Sequence, residues 1–281
     1  MKDKHVLITG GNSGIGKVAA IALARQGARI VLACKPSEKT ELALEEISKE
    51  SVTEAQNLPV DLSSLEAVRT LAETYQHRFE RLDVLINNAG VFPVRQQLTH
   101  DGFEMQFGVN HLSHFLLTNL LLDQLKDASP SRVVTVSSMM HKKGSIDFDN
   151  FKGEKKYNSQ LAYGQSKLAN ILFAFELAER LSGTDVTSTV LHPGGVRTDI
   201  TRDLPWLVRK LINLIFISPD KGAATTIQLA SDKALEGVSG KYFDQTLQSE
   251  PSPLANDKLL REKLWIESEK MTGLDARIPV A

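Results

Sequence analysis

One cysteine in 281 residues, no long apolar run and no excess of either charge set the outer limits of this chain. Cys34 has no partner for an internal disulfide and reads as a small apolar residue at a strand end. Lys and Arg number 33 against 34 Asp and Glu, a formal net charge of −1, so there is no global basic field to draw in nucleic acid. No window reaches the roughly eighteen apolar residues of a membrane span. The most hydrophobic stretch, residues 204–217, is broken by Arg209-Lys210 and bounded by Pro205 and Pro219. His, Cys, Asp and Glu nowhere gather at metal-ligand spacing, so no metal is expected. The opening Met1-Lys2-Asp3-Lys4-His5 runs into an apolar strand without a secretory h-region or an Arg-rich transit pattern, and the expectation is a reducing, cytoplasmic setting. Repeats, low-complexity tracts and composition breaks are absent too, which predicts a single domain over residues 1–281.

What is present is an alternation of short apolar runs and amphipathic stretches. Val6-Leu7-Ile8, residues 29–33, 55–62, 83–86, 132–136 and 186–191, and a piece around Tyr242-Phe243 read as strands. Residues 18–26, 39–50, 65–79, 103–122, a stretch carrying Tyr163 to about residue 181, residues 221–230 and about 257–271 read as helices. This order predicts an α/β fold, a doubly wound (Rossmann) parallel sheet of about seven strands with helices on both faces. Such sheets bind ligands beyond the carboxyl ends of their strands.

The strand ends carry the candidate chemistry. The first leads into Thr9-Gly10-Gly11-Asn12-Ser13-Gly14-Ile15-Gly16 and then a helix, the context of a pyrophosphate site. The spacing Gly10-x3-Gly14-x-Gly16 differs from Gly-x-Gly-x-x-Gly, and an ordinary flexible turn is the competing reading. At the end of the second strand an acid would hold the ribose 2′-hydroxyl of NAD, but Lys35 stands there. With Lys17 nearby it suits a 2′-phosphate, so NADP(H) is expected over NAD(H), a solvated lysine being the alternative. Asp61 closes the third strand as a candidate for the adenine amino group; Asp61 or Ser63 also reads as a cap for the next helix. Asn87-Asn88-Ala89-Gly90 ends the fourth strand at the ligand edge. Asn110 requires partners if buried, and His111 and His114 read as packed or surface groups.

Tyr163-Gly164-Gln165-Ser166-Lys167 sets a phenol and an ammonium at i and i+4, on one face of a helix. An adjacent cation favours phenolate, so Lys167 is expected to draw the Tyr163 pKa from about 10 towards neutrality, where acid/base catalysis works best. Ser138 supplies a hydroxyl to hold a substrate oxygen against Tyr163. The same spacing also fits a solvated lysine beside a half-buried ring.

Taken together, Thr9-Gly10-x3-Gly14-x-Gly16, Asp61, Asn87-Asn88-Ala89-Gly90, Asn110, Ser138, Tyr163-x-x-x-Lys167 and Pro193-Gly194 resemble the short-chain dehydrogenases/reductases over roughly residues 4–245. A nearer resemblance is to the retinol dehydrogenase-like subgroup, which includes the oxidoreductase domain of the WW-domain oxidoreductases. Residues 134–138 with His141 and Gly144 carry it, with Tyr163-x-x-Ser166-Lys167-Leu168-Ala169-Asn170, Leu191-His192-Pro193-Gly194-x-Val196-Arg197-Thr198 and Ser239-Gly240-Lys241-Tyr242-Phe243. The resemblance implies hydride transfer between NADP(H) and a carbonyl or alcohol, with Asn110, Ser138, Tyr163 and Lys167 as catalytic residues. Ser138 and Tyr163 would bind the carbonyl oxygen, Tyr163 would donate the proton, Lys167 would hold the nicotinamide ribose, and Asn110 would fix a water relaying protons to Lys167. Gly10, Asn12, Ser13, Gly14, Ile15, Gly16, Lys35, Asp61, Leu62, Asn88, Ala89 and Gly90 would line the cofactor. Pro193, Gly194 and Val196 would face the nicotinamide amide, with Thr198 near the phosphates. Two departures stand out. Lys35 replaces the subgroup's arginine, keeping the charge without the bidentate fork, and the membrane-anchoring N-terminal helix of several animal retinol dehydrogenases is absent.

Residues 198–220, with Trp206 and Phe216, occupy the family's substrate-covering position, and an apolar cover suits a lipophilic carbonyl or alcohol such as a retinal-like aldehyde. Packing on the core or on a neighbouring subunit fits the same residues, as does shallow adsorption to a membrane. Homo-oligomers are common in the family. Against the enzyme stands a non-catalytic NADP-binding regulator, which loss of Ser138, Tyr163 or Lys167 would favour; all three are present.

Overall fold

Strand β1 (His5–Thr9) lies at the centre of the sheet, paired in parallel with β2 (Arg29–Cys34) on one side and β4 (Val84–Asn87) on the other. The computed structural model describes residues 1–195 and 218–274. Adding β3 (Gln56–Pro59), β5 (Ser131–Val136), β6 (Val186–His192), β7 (Lys241–Asp244) and β8 (Leu247–Ser249), the order is β3-β2-β1-β4-β5-β6-β7-β8. All pairs are parallel except β7 with β8. The chain winds outward from β1 through β3, then returns to start β4 on the other side of β1. Ligand crevices open at such a reversal, here between the ends of β1 and β4.

Side-chain alternation divides the core between the two faces. Leu7, Val31, Ala33 and Leu85 point to one cluster, while Val6, Ile8, Ile30, Leu32, Val84 and Ile86 point to the other. Along the chain the helices are α1 (Gly14–Arg25), α2 (Glu38–Lys49), α3 (Leu65–Arg78), α4 (Met105–Phe107), α5 (Ser113–Leu120), α6 (Leu122–Asp127), α7 (Ser159–Arg180), α8 (Pro219–Ser231) and α9 (Lys258–Thr272). Helices α1, α2 and α8 cover the Val6 face. Helices α3, α5, α7 and α9 cover the Leu7 face. Ser37, Ser64 and Asn158 cap α2, α3 and α7 with side-chain oxygens.

Three differences from the sequence reading have physical causes. The expected third strand over residues 55–62 shrinks to the four residues of β3, which ends at Pro59, a residue with no N–H for a ladder. The expected single helix over 103–122 is instead α4, a π turn (Gly108–Leu112), α5 and α6. Nearly every side chain from Gln106 to Asn119 is buried, so no polar face remained to reveal the change of pitch. Strand β8 adds an eighth member to the sheet; its three residues are all exposed and carry no alternation to read. The expected substrate cover over 198–220 falls mostly outside the described residues, as do Val196 and Thr198. No helix among the described residues is long and apolar enough to cross a membrane.

Candidate active site

Helix α7 and the end of β5 bring Ser138, Tyr163 and Lys167 together. The helix starts at its Asn158 cap, whose Oδ1 accepts from the N–H groups of Gln160 at 3.0 Å and Leu161 at 3.1 Å. One turn later Tyr163 and Lys167 share a face, with the Lys167 Nζ 5.6 Å from the Tyr163 ring centroid. Phe92 packs edge-on against the Tyr163 ring at 5.1 Å. Ser138 lies within polar reach of the Tyr163 hydroxyl. Gly144 and Gly164 allow this approach: a Cβ at Gly144 would collide with the Gly164 carbonyl, so the 3₁₀ turn Met139–Lys143 can lie directly on α7.

Burial dominates the electrostatics. It pushes the Tyr163 phenol up to about 12, with Ser138 pulling the other way. It brings the Lys167 ammonium down to about 8. Lys167 donates to the Val136 carbonyl at 3.0 Å. The direction is opposite to the one expected from Lys167: desolvation of the phenolate raises the phenol, and Ser138 is the group that offsets it.

Asn110 sits within the π turn, fully buried, and all of its polar atoms are used. Its Oδ1 accepts from the Val91 N–H at 2.8 Å; its Nδ2 donates to the Val91 carbonyl at 3.2 Å and to the Ser166 Oγ at 3.0 Å. Ser166 in turn donates to the Tyr163 carbonyl at 2.9 Å. The side chain thus clamps the segment after β4 to α7.

The turn after β1 has the shape of a phosphate cradle. Gly10 and Gly14 take left-handed φ values of 65° and 51°. A Cβ at Gly16 would lie 2.5 Å from both the Asn88 Nδ2 and the Gly10 carbonyl. Ser13, at the N-cap of α1, places no side-chain oxygen on the first-turn N–H groups, which suits an anion there. The Ile15 side chain packs inward with Ala19 and Ala223. A cleft of about 600 Å³ opens beside this turn, lined by Asn12, Ser13, Gly14, Lys17, Lys39 and Leu42 among others. Asn88 pins the turn from the far side, its Nδ2 donating to the carbonyls of Thr9 at 2.9 Å and Gly10 at 3.2 Å. A Cβ at Gly90 would lie 3.6 Å from the Lys167 Nζ, so the segment after β4 runs from the cradle to Lys167.

Independent comparisons agree with this geometry. The model of the short chain dehydrogenase family matches residues 4–206. The chain belongs to the short-chain dehydrogenase family. Human retinol dehydrogenase 14 is 48% identical, the alignment covering 98% of this chain and 88% of that one, which places the dehydrogenase in the retinol dehydrogenase-like subgroup. A solved structure of an uncharacterized protein from Mycobacterium paratuberculosis is 36% identical with a TM-score of 0.79, over 97% of this chain and 94% of that one. The NADP active-site complex of Pseudomonas aeruginosa RhlG is 26% identical with a TM-score of 0.72, over 87% of this chain and 95% of that one. The dehydrogenase is thus an oxidoreductase with the nicotinamide-binding architecture of its family.

Within this dehydrogenase two expected cofactor residues engage each other. Lys35 is not an isolated cation: its Nζ lies 2.7 Å from Asp61 Oδ2. Burial alone would raise the Asp61 carboxyl, but hydrogen bonds from Lys35 and Ser63 outweigh it and hold the pKa at about 2. Lys17 is likewise paired, with Glu46 at 2.8 Å. The cap of α3 is Ser64, not Asp61 or Ser63; Asp61 accepts from the Ser63 N–H and hydroxyl in the preceding turn. The side chain of Leu62 is buried in the core, which leaves its backbone for any ligand contact. Pro193 is buried and Gly194 adopts φ 91° at the end of β6. Sequence reasoning missed how the histidines serve the site. His141 Nδ1 donates to the Ser138 carbonyl at 2.7 Å while its Nε2 accepts from the Ser252 N–H at 3.1 Å; His192 Nδ1 accepts from the Met139 N–H at 3.1 Å. Both brace the backbone around Ser138.

Proposed function

We propose that this chain interconverts a lipophilic carbonyl, a retinal-like aldehyde or a ketone, and its alcohol, with NADP(H) as cofactor and Tyr163 as general acid/base. The observation that carries the reading is Ser138 within polar reach of the Tyr163 hydroxyl and Lys167 5.6 Å from the ring centroid, set where the glycine turn and the Asn88-Ala89-Gly90 segment converge. The name of human retinol dehydrogenase 14 supports the substrate class. Lys17 and Lys39 lining the cleft, Lys35 just beyond the end of β2, and the NADP complex of the related RhlG support NADP over NAD. Exposed ion pairs such as Lys35–Asp61 contribute about 0–1 kcal/mol, so a 2′-phosphate can recruit Lys35 at little cost.

When bound, NADPH supplies the hydride to the carbonyl carbon. Ser138 and Tyr163 orient the carbonyl oxygen, and Tyr163 transfers its phenolic proton to that oxygen as negative charge builds on it. The Lys167 ammonium faces the phenolate that remains. A phenol held up at about 12 is protonated at neutral pH, which suits donation and hence reduction. The reverse reaction needs the phenolate and gains with rising pH.

The test is NADPH oxidation with aldehydes and ketones of graded hydrophobicity, with NADH in parallel. Tyr163→Phe should lower kcat by about 10²–10⁴-fold with NADPH still bound, the range for a positioned acid/base group. Unchanged turnover in Tyr163→Phe would sink the mechanism. NADPH binding without turnover on any carbonyl would favour a non-catalytic regulator.

A further inference from the structure

His114 is buried on α5 one turn beyond Asn110. Its Nδ1 lies 3.0 Å from the Asn110 carbonyl oxygen, which can only accept, so Nδ1 carries the proton. In the neutral ring Nε2 is then an acceptor, and it lies 2.8 Å from the Thr9 Oγ1. Thr9 must donate its hydroxyl proton there. Both lone pairs of that oxygen remain, and both are used: the N–H groups of Asn88 and Ala89 each donate to it at 3.0 Å. The next acceptor in reach of the hydroxyl, the Ile86 carbonyl at 3.4 Å, is a poor alternative.

We infer that His114 is a positioning residue: by fixing the Thr9 hydroxyl through its tautomer, it aligns the Asn88-Ala89 backbone at the cofactor edge with the Asn110 turn at the catalytic helix. The path is continuous. Tyr163 is joined through Ser166 to Asn110, Asn110 through His114 to Thr9, and Thr9 to Asn88, whose side chain holds the glycine turn. The Asn110 carbonyl, within the π turn, faces the imidazole one turn further on. The ligand consequence rests on the dinucleotide reading of this edge; the alignment of the edge does not.

The test combines amide hydrogen exchange with nicotinamide dinucleotide binding in the full chain, for His114→Phe, His114→Gln, Thr9→Val and the double variant Thr9→Val/His114→Phe. His114→Phe should speed exchange at the Asn88 and Ala89 amides while Val133 and Val190, in β5 and β6, keep their protection. NADPH should bind about tenfold more weakly, the effect of one buried hydrogen bond lost. The double variant should be no worse than the worse single one, since both break the same link. Gln reaches the Nε2 position with an acceptor oxygen, so His114→Gln should recover most of the affinity. Unchanged exchange at Asn88 and Ala89, loss of protection spread evenly over the sheet, or additive effects on affinity would each overturn the inference. If His114→Phe fails to fold, His114→Asn, too short to reach the Thr9 hydroxyl, takes its place under the same exchange criterion. A parent protein that bound neither NADPH nor NADH would remove the proposed function, and the exchange data would still decide this one.

Discussion

At the scale of single residues, a glycine pair and a histidine set the catalytic groups as much as those groups set themselves. Gly144 is legible as part of a family pattern, but its purpose is visible only where its missing Cβ faces the Gly164 carbonyl. Gly144→Ala forces the Met139–Lys143 turn off α7 and moves Ser138 with it. Overpacking of this kind costs about 1–3 kcal/mol, and the expected result is a lower urea midpoint together with a fall in kcat. A variant with full turnover and stability would show that the turn has room to spare. Tyr163 teaches the same lesson from electrostatics. Its neighbour at i+4 was evident from spacing, whereas the direction of its pKa followed from how much water the fold removes.

At the scale of elements, α9 is held to α7 by aromatic stacking and a partly buried ionic cluster. Trp265 lies parallel to Phe173 at 5.9 Å and edge-on to Phe115 at 4.8 Å, and the Arg180 guanidinium sits 4.4 Å above it. Glu176, buried on α7, pairs with Arg180 at 2.8 Å, and Arg261 of α9 reaches Glu179 at 2.7 Å. Trp265→Ala should lower stability by about 3–5 kcal/mol in chemical denaturation, the range for a large buried aromatic. Retention of the parent midpoint would mean that α9 contributes little to the core. The amphipathic pattern of this helix announced its existence, since α9 differs by one residue at each end from the expected 257–271. Residues 103–122 gave no such warning. A segment buried on all sides has no polar stripe, so neither the π turn nor the break at Leu121 left a trace in its periodicity.

At the scale of the whole molecule, buried neutral histidines make the fold sensitive to acid. Burial is the leading cause that depresses His111 to about 3 and His114 to about 4. The unfolded chain has both at about 6.5, so below that pH the unfolded state binds more protons and stability falls as pH drops. Asp83 adds to this at lower pH. Burial alone would raise its carboxyl, but Arg81, Lys4 and the His5 N–H overcome it, so its stabilisation is lost as pH falls through the carboxylate range. The expected outcome is a urea midpoint that drops by the equivalent of about 4 kcal/mol between about pH 7 and pH 5. A midpoint that held steady down to pH 5 would contradict the burial of both imidazoles.

The sequence by itself determined which groups stand at which strand ends. Glycine spacing, the paired asparagines and the Tyr163–Lys167 repeat are local patterns, and the alternation of strands and helices allows few ways to wind them into one sheet. Tertiary structure decided what those groups do to one another. The pairing of Lys35 with Asp61, the raised phenol of Tyr163, the exposed eighth strand and the link from His114 to Thr9 all emerge at that level. Apart from the eighth strand, a local hairpin with β7, such effects depend on through-space neighbours and on the water displaced when they meet, and neither quantity is written in the order of residues.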